Sequence, residues 1–195
     1  MDQNQYQLED YKQIWNAIID VDKRILQVFG STIVIAVSLL SAVAGLVLGK
    51  GAGDGMSIVF AYLGLAPSLI LIPSFNLMLS QRIDIMRLGA YRRVFYEEQY
   101  AREGWEVHLY KFRNLEQKES NDPIPWSFWA IFAASAALFS YGLIKTCASL
   151  WHLSFLVIPT IFLGTTHYKW SRVISKILPK YVELWRKVQG DRKTA

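Results

Sequence analysis

Glu97, Glu98, Glu103, Glu106 and His108 lie within twelve residues of one another, a density of carboxylates and imidazole that could hold a metal or exchange protons. Such chemistry on a helix depends on spacing. A Glu-x-x-His pair sets two ligands on one helical face, and His-Glu-x-x-His does the same for zinc hydrolases. Neither pattern occurs here. His152 and His167 sit at the two ends of an apolar run and so belong at opposite membrane faces, out of reach of His108. The segment GLVLGKGAGDG resembles a phosphate loop, but Gly45 stands one residue too close to Gly49-Lys50 and no Ser or Thr follows the lysine. It reads as a glycine-rich connection. The lone cysteine, Cys147, excludes an intramolecular disulfide. No catalytic residue, cofactor or metal site is expected, and the charged stretch is better explained by helix contacts, with Glu97 pairing to Arg93 and Trp105 packing a helix end.

The elements that must position these residues are set by hydropathy. The 195-residue chain has a mean hydropathy of +0.19, an average over sharply different blocks. Residues 25–48 and 57–80 carry no charge, nor do the apolar runs 126–144 and 150–166. A hydrocarbon core about 30 Å thick needs roughly 20 apolar residues of helix, with about 17 as the lower limit. The runs are continuous rather than alternating, and open strand edges cannot sit in lipid. The expected fold is an all-α integral membrane protein with four transmembrane helices in two hairpins. Residues 1–24 hold three basic and five acidic side chains. That leader lacks the positive n-region of a signal peptide, so the first run is retained as a span.

Of the 21 basic residues, only Lys50 and Lys145 fall in the two short connections between paired spans. The positive-inside rule then puts both termini and the central block in the cytoplasm of a multi-pass protein. The organisation expected is a cytoplasmic amphipathic helix at 1–24, a transmembrane hairpin at 25–80, a cytoplasmic helical block and linker at 81–125, a second hairpin at 126–166, and a basic cytoplasmic helix at 167–195. Three apolar stripes support helices extending beyond the spans into a cytoplasmic bundle. They are Tyr11, Ile14, Trp15, Ile18 and Ile25; Ile83, Met86, Ala90, Val94 and Ala101; and Val173, Ile177, Tyr181, Leu184 and Val188. The tail is strongly basic and suits anionic headgroups or an acidic partner. Its Tyr181 and Trp185 fall on or beside the apolar stripe, so nucleic acid is not an expected partner.

Within the spans, small residues recur at helical spacing: Ser38, Ser41, Ala42, Gly45 and Gly49 in the first, Ala130, Ala133, Ala134 and Ala137 in the third. Such ridges let backbones approach closely, inside one subunit or between subunits. Pro67, Pro73 and Pro159 are expected to kink their spans, with Pro67 near the centre of the second. No Asp, Glu, Lys or Arg lies in the central part of any span, which disfavours ion-coupled transport.

Tyr91, Glu97 and the triplet Gly104-Trp105-Glu106 resemble a signature of an uncharacterised family of prokaryotic four-span membrane proteins: Tyr, then Glu six residues on, then Gly-Trp-Glu. Tyr11-Lys12, Ile14, Ile18 and Lys23-Arg24-Ile25-Leu26 are similar to that family's opening helix, though Ala17 stands where an acidic residue is usual. The resemblance covers roughly the first 110 residues. It implies the four-span architecture, a bacterial inner membrane and an association with defence loci, and it implies no chemistry. Two functions fit these residues: a homo-oligomer forming a pore or membrane-perturbing effector controlled through its cytoplasmic helices, or a membrane anchor recruiting a cytoplasmic protein partner.

Overall fold

The computed structural model describes residues 3–49, 58–97, 123–146 and 148–194. Among them the secondary structure is helical throughout. Helix α1 spans Gln3–Gly49, α2 Ile58–Leu63, α3 Ala66–Arg92, α4 Pro123–Lys145, α5 Val157–Arg172 and α6 Leu178–Thr194. A 3-10 segment, Leu150–Leu156, leads into α5, and π-helical turns follow α3 (Arg93–Glu97) and α5 (Val173–Ile177). Four stretches are long and apolar enough to cross a membrane: Glu9–Leu46, Ala61–Tyr96, Pro123–Lys145 and Leu150–Arg172.

The chain forms two compact units. Unit 2 comprises Gln27–Met78 and Pro123–Tyr168 and contains the apolar runs. It leaves large aliphatic side chains such as Leu69, Val34 and Ile144 largely exposed, as a lipid-facing surface requires. Its core is partly aromatic: Phe75 stacks on Phe128 with centroids 4.6 Å apart, and Phe29 approaches the same ring at 6.2 Å. A second cluster joins Ala61, Phe139 and Leu143, where α2 packs on α4. That contact depends on two missing side chains. A Cβ on Gly64 would meet the backbone nitrogen of Phe139 at 2.8 Å, and one on Gly142 would meet the Cα of Ala61 at 2.8 Å.

The second and fourth spans depart from simple α-helices. The second is interrupted at Gly64 and Leu65, whose N–H groups donate to Ala61 and Tyr62 three residues back. Pro67 therefore lies in the first turn of α3, where a missing N–H costs little, and the break precedes it rather than forming at it. Pro159 likewise falls in the first turn of α5. Pro73 alone of the three sits in a helix interior. In the fourth span, 3-10 geometry rises about 2.0 Å per residue against 1.5 Å for α. Seven such residues therefore lengthen the run by about 3.5 Å, enough to bring a short apolar segment close to the thickness of the hydrocarbon core.

Unit 1 comprises Met1–Leu26, Leu79–Asp122 and Lys169–Ala195. Ile14 and Ile25 of α1 and Met86, Ala90 and Val94 around the end of α3 are buried, as their stripes predict, whereas Trp15 of the leader stripe is 38% exposed. Ala101 of the second stripe lies outside the described residues. The tail differs from its stripe: Val173, Leu178 and Val182 are buried, whereas Leu184 and Val188 are 44% and 42% exposed. The π turn at Val173–Ile177 accommodates one extra residue, and each residue added to a helix turns the following face by about 100°. The buried face accordingly continues through Leu178, Val182 and the half-buried Trp185 and Gln189.

Candidate functional site

In unit 1, Arg92 is fully buried with its guanidinium over two rings of the leader helix, 5.3 Å from the centroid of Tyr11 and 4.9 Å from that of Trp15. Contacts of this kind are worth about 0.5–2 kcal/mol, rising with burial, and here Trp15 is 38% exposed. Tyr96 donates its hydroxyl hydrogen to the Asp10 carboxylate, and its ring meets Tyr11 edge-on at 5.7 Å. Tyr91, first residue of the expected signature, packs on Phe95 at 4.6 Å and on Trp185 at 5.1 Å. The indole N–H of Trp185 donates to the Arg87 carbonyl at 3.3 Å, and Arg87 Nη2 donates to the Tyr181 hydroxyl at 3.2 Å. Arg82 lies over Trp170, 4.3 Å from the ring centroid. The leader, the end of α3 and the tail are thus tied together by arginine–aromatic contacts. Glu97 closes the π turn after α3; its side chain lies outside the described residues, as do Glu98, Glu103, Trp105, Glu106 and His108 entirely. Among the described residues no three His, Cys, Asp or Glu side chains gather as a metal site.

In unit 2 the sequence-predicted small residues fall mainly on exposed surface. Ser38, Ser41, Ala42 and Gly45 of α1 are exposed, as are Ala130, Ala133 and Ala137 of α4, and Ala134 is half-buried. A Cβ built on Gly45 meets nothing within 4 Å; the side-chain surroundings of Gly49 lie outside the described residues. The two ridges meet at one place. Leu40, Ser41 and Ala44 from α1 and Ala134, Ala137, Leu138 and Tyr141 from α4 line an open groove of about 550 Å³. Small and large side chains alternate along its walls. The close packing inside the unit is made by Ala61, Gly64 and Gly142 instead, residues off both ridges, for which the three-residue spacing of Ala61 and Gly64 is the only sequence signal.

No protein-family model, curated protein or solved structure matches this chain.

Several polar groups in unit 2 are specifically bonded, whereas the buried hydroxyls of Ser68 and Ser135 meet no hydrogen-bond partner among the described residues. The Tyr62 hydroxyl and His152 Nδ1 are 2.5 Å apart, with Trp151 stacked on the imidazole at 4.0 Å. Trp129 Nε1 donates to His167 Nδ1 at 2.9 Å. An indole nitrogen can only donate, so His167 accepts there and carries its proton on Nε2. Asn76 bonds both to its own helix and to α5, with Nδ2 donating to the Ile72 carbonyl at 3.0 Å and Oδ1 accepting from Thr166 at 3.0 Å. These groups fasten α2, α3 and α4 to the fourth-span segment. Chemically, unit 2 offers helix association, with exposed small-residue surface and a groove in apolar helices.

Proposed function

We propose that copies of this chain associate in a bacterial inner membrane through the small-residue faces of α1 and α4, and that the assembly acts as a pore or membrane-perturbing effector governed by its cytoplasmic helices. In this reading the four spans form two hairpins, both termini are cytoplasmic, unit 1 is the cytoplasmic bundle, and the basic tail meets anionic lipid. The resemblance of the Tyr91–Glu106 region to prokaryotic four-span proteins supports the setting. The observation that carries the reading is that most described residues of both ridges are exposed in the single chain, with nothing within 4 Å of a Cβ built on Gly45 and an open groove between α1 and α4. In lipid no hydrophobic force drives helices together, so close backbone approach at small residues is what makes association favourable.

Native mass spectrometry of the detergent-solubilised protein tests this. A closed ring of four or more copies is expected, with Gly45→Leu and Ala137→Leu each shifting the mass toward monomer while leaving the helical content intact. A wild-type monomer would sink the proposal. Ring formation would be followed by conductance measurements in planar bilayers, where an absence of current would remove the pore and leave the assembly. The anchor reading draws on a different observation, the exposed Leu184 and Val188 on the outer face of α6. It predicts stoichiometric recovery of a soluble partner in mild detergent, lost in Leu184→Glu.

A further inference from the structure

Asn76 sits in the uncharged part of α3, six residues before Arg82, the first charge that follows it on the helix. At 1.5 Å per residue, that is about 9 Å of helix inward from the charged boundary. Its side chain is exposed in the single chain, in a stretch that also exposes Leu69, Pro73 and Leu77. The carboxamide is held by two bonds: Nδ2 donates to Ile72 O, and Oδ1 accepts from the hydroxyl of Thr166, itself only 3% exposed. An asparagine amide has two N–H donors and an oxygen with two lone pairs. One N–H and one lone pair therefore remain, on a side chain whose rotamer is pinned from both ends.

A donor and an acceptor left side by side, in hydrocarbon that can satisfy neither, call for a polar partner. An uncharged carboxamide needs a counterpart offering the same two groups, and a second Asn76 supplies them. Across a two-fold axis the two amides bond reciprocally. In a larger ring, each donates to the next copy and accepts from the preceding one, so the arrangement closes at any order. We infer that Asn76 carboxamides of neighbouring copies hydrogen-bond to one another at the axis of the assembly. This rests on the oligomeric reading above and adds to it a specific contact on α3, outside the small-residue ridges.

The test uses the full chain in its membrane with Cys147→Ser, so that an introduced cysteine is the only thiol. Asn76→Cys, treated with a mild oxidant, is expected to give a disulfide-linked dimer on a non-reducing gel, and Asn76→Leu to lower the fraction of assembled protein at least ten-fold by native mass spectrometry. Cysteine is small and retains a weak donor, so cross-linking remains informative if the leucine variant folds poorly. Wild type running as a monomer would overturn the oligomeric reading and this contact with it. Wild type assembled, with no cross-link at Asn76→Cys and full mass for Asn76→Leu, would overturn the Asn76 contact alone, leaving water or lipid to satisfy the amide.

Discussion

Two glycines with no Cβ, set against two backbones, decide how closely α2 and α4 pack. Gly142 brings its Cα against Ala61, and an added methyl would lie 2.8 Å from both the Cα and the Cβ of Ala61. Neither can move without moving α2. Overpacking of this kind costs roughly 1–3 kcal/mol, and for a protein of this size each kcal/mol lowers Tm by about 2–4 °C. Gly142→Ala should therefore reduce the detergent-solubilised Tm by several degrees. Gly30→Ala, off the small-residue ridge of α1, is the control, because its methyl enters open space and alanine is the better helix former by about 1 kcal/mol. Its Tm should hold or rise slightly. Equal losses in the two variants, measured by thermal unfolding followed by circular dichroism, would contradict the packing described.

Elements carry the clearest contrast between pattern and fold. Period 3.6 located the buried Ile14 and Ile25 of the leader stripe, though not the exposed Trp15, and Met86 and Ala90 of the second stripe, because α1 and α3 keep α-helical geometry through these residues. The same arithmetic fails beyond Val173, because a π turn changes the phase and nothing in the string VISKI announces one. Two valines of the tail separate the alternatives. Val182 is 5% exposed and Val188 is 42% exposed, whereas the uninterrupted stripe would bury Val188. Removing two buried carbons at about 0.8 kcal/mol each makes Val182→Ala cost about 1.5 kcal/mol, and Val188→Ala should fall within about 0.5 kcal/mol of wild type. Urea or thermal unfolding of the two variants decides between the phases; a larger loss at Val188 would restore the uninterrupted stripe. A similar lesson applies to the small residues. Their spacing reveals that close approach is possible, but which partner takes it up depends on tertiary placement. Hence Ala61, Gly64 and Gly142 make the tight contact while Ser38, Ala42 and Ala133 stay exposed.

At the scale of the whole molecule, hydropathy blocks made the four spans legible because lipid imposes length and charge constraints directly on sequence. The break at Gly64–Leu65 and the 3-10 entry to the fourth span were not legible, since the hydropathy pattern does not mark them; both segments pack against α4. Orientation rests on charge alone, and it can be tested separately from assembly. Lys187 and Lys176 lie in exposed positions of the tail, and Lys50 lies in a connection at the other end of its span, outside the described residues. With Cys147→Ser as background, Lys187→Cys in intact cells should resist a membrane-impermeant maleimide until the membrane is opened, and Lys50→Cys should react at once. The reverse pattern would turn the molecule over, putting the basic tail outside and removing the anionic cytoplasmic leaflet as its partner. The tail's phase shift bears on the same point. Because Leu178, Val182 and Trp185 are turned inward, Lys176, Lys180 and Lys187 are left outward with Leu184 and Val188. Whichever side of the membrane it occupies, this helix presents cations and aliphatic groups together on its exposed face.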